Sequence, residues 1–192
     1  MSEYLTTDLT KLSGQFEVAK KHIEELLKDL TDDNLNQRPA GNSWSVAECI
    51  DHLSKIGKDY TGLIEAEINR GRENNIVSNG TYSFTWIGKM FFKPIEPPVK
   101  RKFKAPKIWK PVQEHSIEKT KTEFLSLQDK FIELLKKAKG LNLNKLKVVS
   151  PATRLVRFNL IDILNVLAAH QRRHLWQAEQ VKLKLKTQKN KE

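Results

Sequence analysis

An all-α fold, a four-helix bundle, is what this sequence predicts, and three observations predict it. Apolar residues recur at 3-and-4 spacing in four long stretches, the rhythm of helices with one buried face. No series of alternating apolar and polar residues offers a competing set of strands. Helix start and stop signals bracket the same stretches. With 192 residues the chain suffices for one well-cored domain and is short for two, so 1–192 reads as a single domain.

The first helix runs from Thr6 to Leu30, with Leu5, Leu9, Leu12, Phe16, Ile23, Leu26 and Leu30 on one stripe. His22 falls among the charged positions and reads as solvated. Asp32, Asp33, Asn34, Pro39, Gly41 and Asn42 then make a turn-rich connection. It ends in a capping box, Ser45 with Glu48, and in Trp44 and Cys49 placed as a hydrophobic staple. The second helix follows from Val46 to about Arg70, with Val46, Ile50, Leu53, Ile56, Tyr60, Leu63 and Ile64 inward. Gly57 and Gly62 lower its propensity and offer a neighbour a close approach.

From Gly71 to Pro111 the helical rhythm stops, and Asn, Gly and Pro punctuate the chain. The aromatic stretch Thr81 to Phe92 suits a pocket wall or lid and holds a short helix over Phe84 to Phe92. A basic run follows: Lys100, Arg101, Lys102, Lys104, Lys107 and Lys110. A solvated loop is the preferred reading of that run; a funnel for an anionic substrate is the other. The third helix spans Gln113 to Lys139, with Phe124, Leu127, Phe131 and Ala138 inward and Gly140 as its C-cap. His115 at its start reads as surface. Leu141 to Phe158 is mixed, and Pro151 bars a continuous helix there. The fourth helix begins at Asn159, with Asn159 and Asp162 as a capping pair. The long connection between the second and third helices lets those two run parallel.

Composition excludes several classes of function. No apolar run approaches the length of a membrane span, and the polar N-terminus lacks a signal-peptide core, so a cytoplasmic location is expected. The single cysteine, Cys49, rules out an internal disulfide and fits a reducing compartment. The formal net charge of +11 is concentrated between Lys89 and Lys110 and in a tail from Lys182 to Lys191. Neither part carries a nucleic-acid motif, so no nucleic-acid partner is expected. The tail reads as a fraying helix end, over about the last eight residues, whose cations complement the helix dipole.

Chemistry gathers on the histidines. His170 and His174 stand in H-x-x-x-H spacing, so on a helix both rings leave the same face. That face is the apolar stripe Ile163, Leu167, His170, His174, Ala178, Val181. His52 occupies the apolar face of the second helix, among Cys49, Leu53 and Ile56. Packed together, the two helices would bring three neutral imidazoles around one divalent ion and leave a coordination position open. Satisfied core histidines remain the competing reading. Cys49, three residues before His52, either completes a closed Cys/His site or is a small buried thiol, and the second is the more ordinary. Gln177 is placed to orient His174, while Arg172, Arg173 and Trp176 either rim the pocket or face solvent.

Two segments carry a resemblance. Gln37 to Leu53 reads Q-R-P-A-G-N-S-W-S-V-A-E-C-I-D-H-L, and His170 to Gln177 reads H-Q-R-R-H-L-W-Q. Together, and in this order, they resemble the DinB superfamily, including its YfiT-type members. The resemblance implies a four-helix bundle and a divalent metal held by His52, His170 and His174. It also implies zinc or nickel as the ion, a small-molecule substrate and a homodimer. Such an ion keeps its double charge and would lower the pKa of a bound water or thiol. Two enzymatic classes follow, metal-dependent hydrolase and S-transferase of the bacillithiol type with a low-molecular-weight thiol. No side chain is assigned as a general base. The alternative is a non-catalytic stress-response or binding module with structural histidines.

Overall fold

Four long amphipathic helices bury their apolar stripes against one another and leave a fifth, shorter helix to cover one side. The computed structural model describes residues 4–39, 43–99, 104–112 and 114–189. In chain order come α1 (Leu9–Leu27), the short α2 (Asp32–Asn36), α3 (Val46–Glu73) and α4 (Trp86–Ile95). A 3-10 turn at Lys107–Trp109, α5 (Ile117–Ala138), strands β1 (Lys147–Val149) and β2 (Arg157–Asn159), and α6 (Leu160–Lys189) complete it. The expected turn residues Gly41 and Asn42, the basic residues Lys100 to Lys102, and the helix start at Gln113 lie outside the described residues.

Helices α1 and α3 each pack on both α5 and α6, so α1 faces α3 across the diagonal of the bundle. Lys58 pairs with Glu123 and Glu65 with Lys130, so α3 and α5 run parallel, as the length of their connection allows. His22 meets Glu179 and Gln15 meets Arg172, which makes α1 parallel to α6. Lys20 with Asp129 and Glu24 with Lys121 set α1 antiparallel to α5. The core is the set of stripes read from the sequence, including Leu12, Phe16, Ile23, Leu53, Ile64, Phe124 and Phe131. Phe16 and Phe131 stack with centroids 4.8 Å apart. Each such side chain contributes roughly 1.5–3 kcal/mol by leaving water. Gly57 is required by this packing: a Cβ there would lie 2.3 Å from a Leu127 methyl, whereas nothing lies within 4 Å of one at Gly62.

Several local expectations are corrected. Leu63 points outward and is 41% exposed. The mixed segment after Gly140 first packs Leu141 and Leu146 against Gly71 and bonds the Asn142 amide to the Ile76 carbonyl, then forms an antiparallel hairpin, β1 with β2. The short aromatic helix begins two residues later than expected, because Thr85 caps it by accepting from the Gly88 amide. Asp162 does not cap its own helix: its carboxylate accepts from the Thr85 amide and hydroxyl and so fixes α4 on α6. The basic C-terminal stretch is helical over its described length. Helix α6 continues to Lys189, Leu185 is buried, and Lys182 donates to the carbonyls of Leu26 and Lys28 at the end of α1. Those carbonyls have no partner within α1, so a cation there satisfies them.

Candidate metal centre

His52 enters from the second turn of α3, and the capping box fixes how that helix begins. The Ser45 amide donates to Glu48 at 2.9 Å, and the Glu48 amide donates to the Ser45 hydroxyl at 3.1 Å. Arg38 closes over the same carboxylate through both of its oxygens. Burial alone would raise the Glu48 pKa. The Arg38 guanidinium and the Ser45 amide outweigh it and hold the carboxyl below its usual range.

His170 and His174 come from adjacent turns of α6. Their Nε2 atoms lie 3.1 Å apart, and the His52 ring centroid is 5.2 Å from that of His170 and 4.7 Å from that of His174. One ligand-capable atom from each of the three lies within 4.8 Å of the others. Two nitrogens bound tetrahedrally to one zinc-type ion stand about 3.3 Å apart, so the α6 pair already has the necessary separation. Trp44 closes the site from one side, 4.9 Å from the His52 ring and 5.7 Å from that of His174.

The electrostatics favour neutral rings. Burial pushes all three histidine pKa values down, and mutual repulsion with the nearby Arg173 charge pushes His170 and His174 further. Neutral imidazole is the ligand form. At His52 the protonation pattern is also fixed. Its Nδ1 lies 2.7 Å from the Trp109 carbonyl. A carbonyl only accepts, so Nδ1 carries the proton and Nε2 keeps its lone pair. The Nδ1 atoms of His170 and His174, by contrast, are buried with no hydrogen-bond partner. The Nε2 atoms of the same two rings face one another and are the ones placed to take an ion. The donor set therefore fits a divalent ion: three neutral nitrogens, one of them oriented, and no carboxylate among them.

Cys49 does not join this set. It is fully buried, burial raises its thiol pKa, and the ligand cluster among the described residues contains only the three histidines. His22 bonds to Glu179 instead. His115 is less exposed than expected; its ring sits 3.2 Å from the Val112 carbonyl and 3.9 Å from Asp51, away from the cluster.

Above the imidazoles opens a cleft of about 1030 Å³. Met90, Phe91, Pro94 and Ile95 of α4 form one wall, so the aromatic stretch does supply one, and Lys104, Ala105, Pro106, Trp109, Lys110 and Pro111 form another, where a solvated loop was the preferred expectation for the basic run. Arg173, Trp176 and Gln177 line it too. Arg172 turns away, holding Glu96 through two bonds, with Gln15 and the Tyr4 ring beside it. Sequence reasoning missed Arg38 and Trp109. Arg38 sits in the turn before the capping box, and a cation near a buried Glu48 was a usable signal. Trp109 acts through its backbone, which no residue type announces.

The family model described as the DinB superfamily matches residues 15–178. A Bacillus subtilis (strain 168) protein, the uncharacterized protein YuaE, is 24% identical over 173 residues, which cover 88% of this chain and 96% of that protein. No solved structure gives a significant match.

Proposed function

The chain belongs to the DinB superfamily, and on that premise we propose that His52, His170 and His174 hold a divalent ion at the floor of an active-site cleft for a small-molecule substrate. The observation that supports this most is the convergence of three neutral imidazoles, with no carboxylate among them, beneath an open cleft. Zinc or nickel suits an all-imidazole set. A divalent ion there supplies Lewis acidity and favours the deprotonated form of a water or thiol substrate. The residues of the chain exclude bulk water with Trp44, orient His52 through Trp109, and shape the cleft with α4.

Between hydrolysis and thiol transfer, one observation favours transfer. Among the described residues Glu48 is the only carboxylate lining the cleft. It caps α3 and pairs with Arg38, so it is not free to take a proton from water. A thiol that ionises readily needs no such base. The reading includes a cytoplasmic protein that works on small molecules rather than on nucleic acid or membranes; no helix among the described residues is long and apolar enough to cross a bilayer. The test is elemental analysis of native protein followed by conjugation of a small thiol to chlorodinitrobenzene. Near-stoichiometric zinc or nickel with metal-dependent conjugation is the expected result. Metal-dependent ester or amide hydrolysis without conjugation would return the site to the hydrolase class.

A further inference from the structure

Trp109 is held at two points by the helix that carries His52. Its carbonyl accepts from His52 Nδ1, and its indole Nε1 donates to Asp59 Oδ2, both at 2.7 Å. Asp59 follows His52 by about two turns of α3, so helix and tryptophan form a closed loop of contacts. Two further bonds fasten the same segment: Lys55 Nζ donates to the Lys110 carbonyl at 2.8 Å, and the Val112 amide donates to Asp51 Oδ2 at 2.9 Å. The Trp109 side chain is buried, its ring 6.0 Å from that of Tyr60.

We propose that Asp59 is a positioning residue for the metal centre. By holding the Trp109 indole, it keeps the Trp109 carbonyl on His52 Nδ1 and so presents His52 Nε2 to the other two imidazoles. The physical need is plain. A backbone carbonyl in an irregular connection is placed only as well as its segment is held, and the 3-10 turn at Lys107–Trp109 has too few internal bonds to hold itself. Without the carbonyl, His52 is free to carry its proton on either nitrogen, and only one of the two tautomers aims a lone pair at the cluster. The same segment lines the cleft through Lys104, Pro106 and Lys110. Asp59 therefore joins the cleft wall to the ligand. The affinity readout of this inference rests on the ion-binding reading; its tautomer readout does not.

The experiment compares wild type with Asp59→Ala, Asp59→Asn and the charge control Asp129→Ala on α5. Asp59 is exposed on a helix and alanine is a good helix former, so the fold is expected to survive. Zinc affinity is read by competition with a chromophoric chelator, and the His52 tautomer of the metal-free protein by long-range proton–nitrogen correlation spectra. Asp59→Ala is expected to weaken zinc binding about tenfold, the lower end of the effect of removing a partner of a ligating histidine. It is also expected to convert His52 from one tautomer to a mixture. Asp59→Asn, which keeps an acceptor oxygen without the charge, and Asp129→Ala are expected to stay near wild type in both. If Asp59→Ala changes neither readout, or if Asp59→Asn loses as much as Asp59→Ala, the inference is overturned. If wild type binds no zinc while Asp59→Ala still alters the tautomer, the positioning role stands and the ion-binding reading falls.

Discussion

Two buried polar clusters share the first two turns of α3, and they are built on opposite principles. At the cap, Ser45, Glu48 and Arg38 satisfy one another: each amide and each carboxylate oxygen named above has a partner. One turn on, His52, His170 and His174 gather just as closely, yet no carboxylate stands among them. A self-satisfied network stabilises the fold and needs nothing further. Imidazoles that converge with no acidic partner keep lone pairs for a cation, and the protein gains stability when one binds.

The sharpest way to break this comparison is at His174. His174→Ala is expected to weaken zinc or nickel binding by more than about 100-fold, beyond the effect of losing a mere partner of a ligand, as read by elemental analysis after dialysis. Wild-type metal content in that variant would erase the distinction between the clusters. Next in size is the response to metal itself. Free zinc at about 100 times its Kd should stabilise wild type by about 2.7 kcal/mol in chemical unfolding, and leave His174→Ala unchanged.

At the cap the expectation reverses. Glu48→Ala should cost about 2 kcal/mol whether or not metal is present, because a cap is lost and Arg38 and the Ser45 amide lose their acceptor. The pH dependence has a definite sign. The Glu48 carboxyl is held below its usual value in the folded protein, so its contribution is complete above the unfolded value near pH 4.3 and is lost as pH falls through the lower folded value. Glu48→Gln should flatten that acid limb of an unfolding series. The smallest expected effect is that of His174→Leu in metal-free protein, within about 1 kcal/mol of wild type, since leucine keeps the volume and the lost contact with His170 is offset by one fewer buried polar ring. A loss of several kcal/mol there would mean that the ring is a structural member of the core.

Much of this arrangement was legible because it is local. The stripes of α1, α3 and α5 lie within single helices, and so does the i, i+4 placement of His170 and His174. The Ser45–Glu48 box could be read letter by letter. The signal failed where a residue's partner lies far along the chain. Asp162 has the spacing of a cap on its own helix, yet it is spent on Thr85, 77 residues away. Helix α6 is buried on most sides over its first turns because α4 lies on its outer face; the nearly all-apolar run Leu160 to Ala169 carried that signal, which reading a single stripe passes over.

By itself the sequence determined four helices, their buried faces, the start of α3 and the three histidines, since periodicity and capping depend on neighbours a turn apart. Only the tertiary structure decided that the rings meet, that Cys49 stays outside, that Arg173 faces the cleft while Arg172 does not, and that a backbone carbonyl fixes the His52 tautomer. Those outcomes depend on distances between residues remote in the chain, and a backbone group has no residue type to announce it.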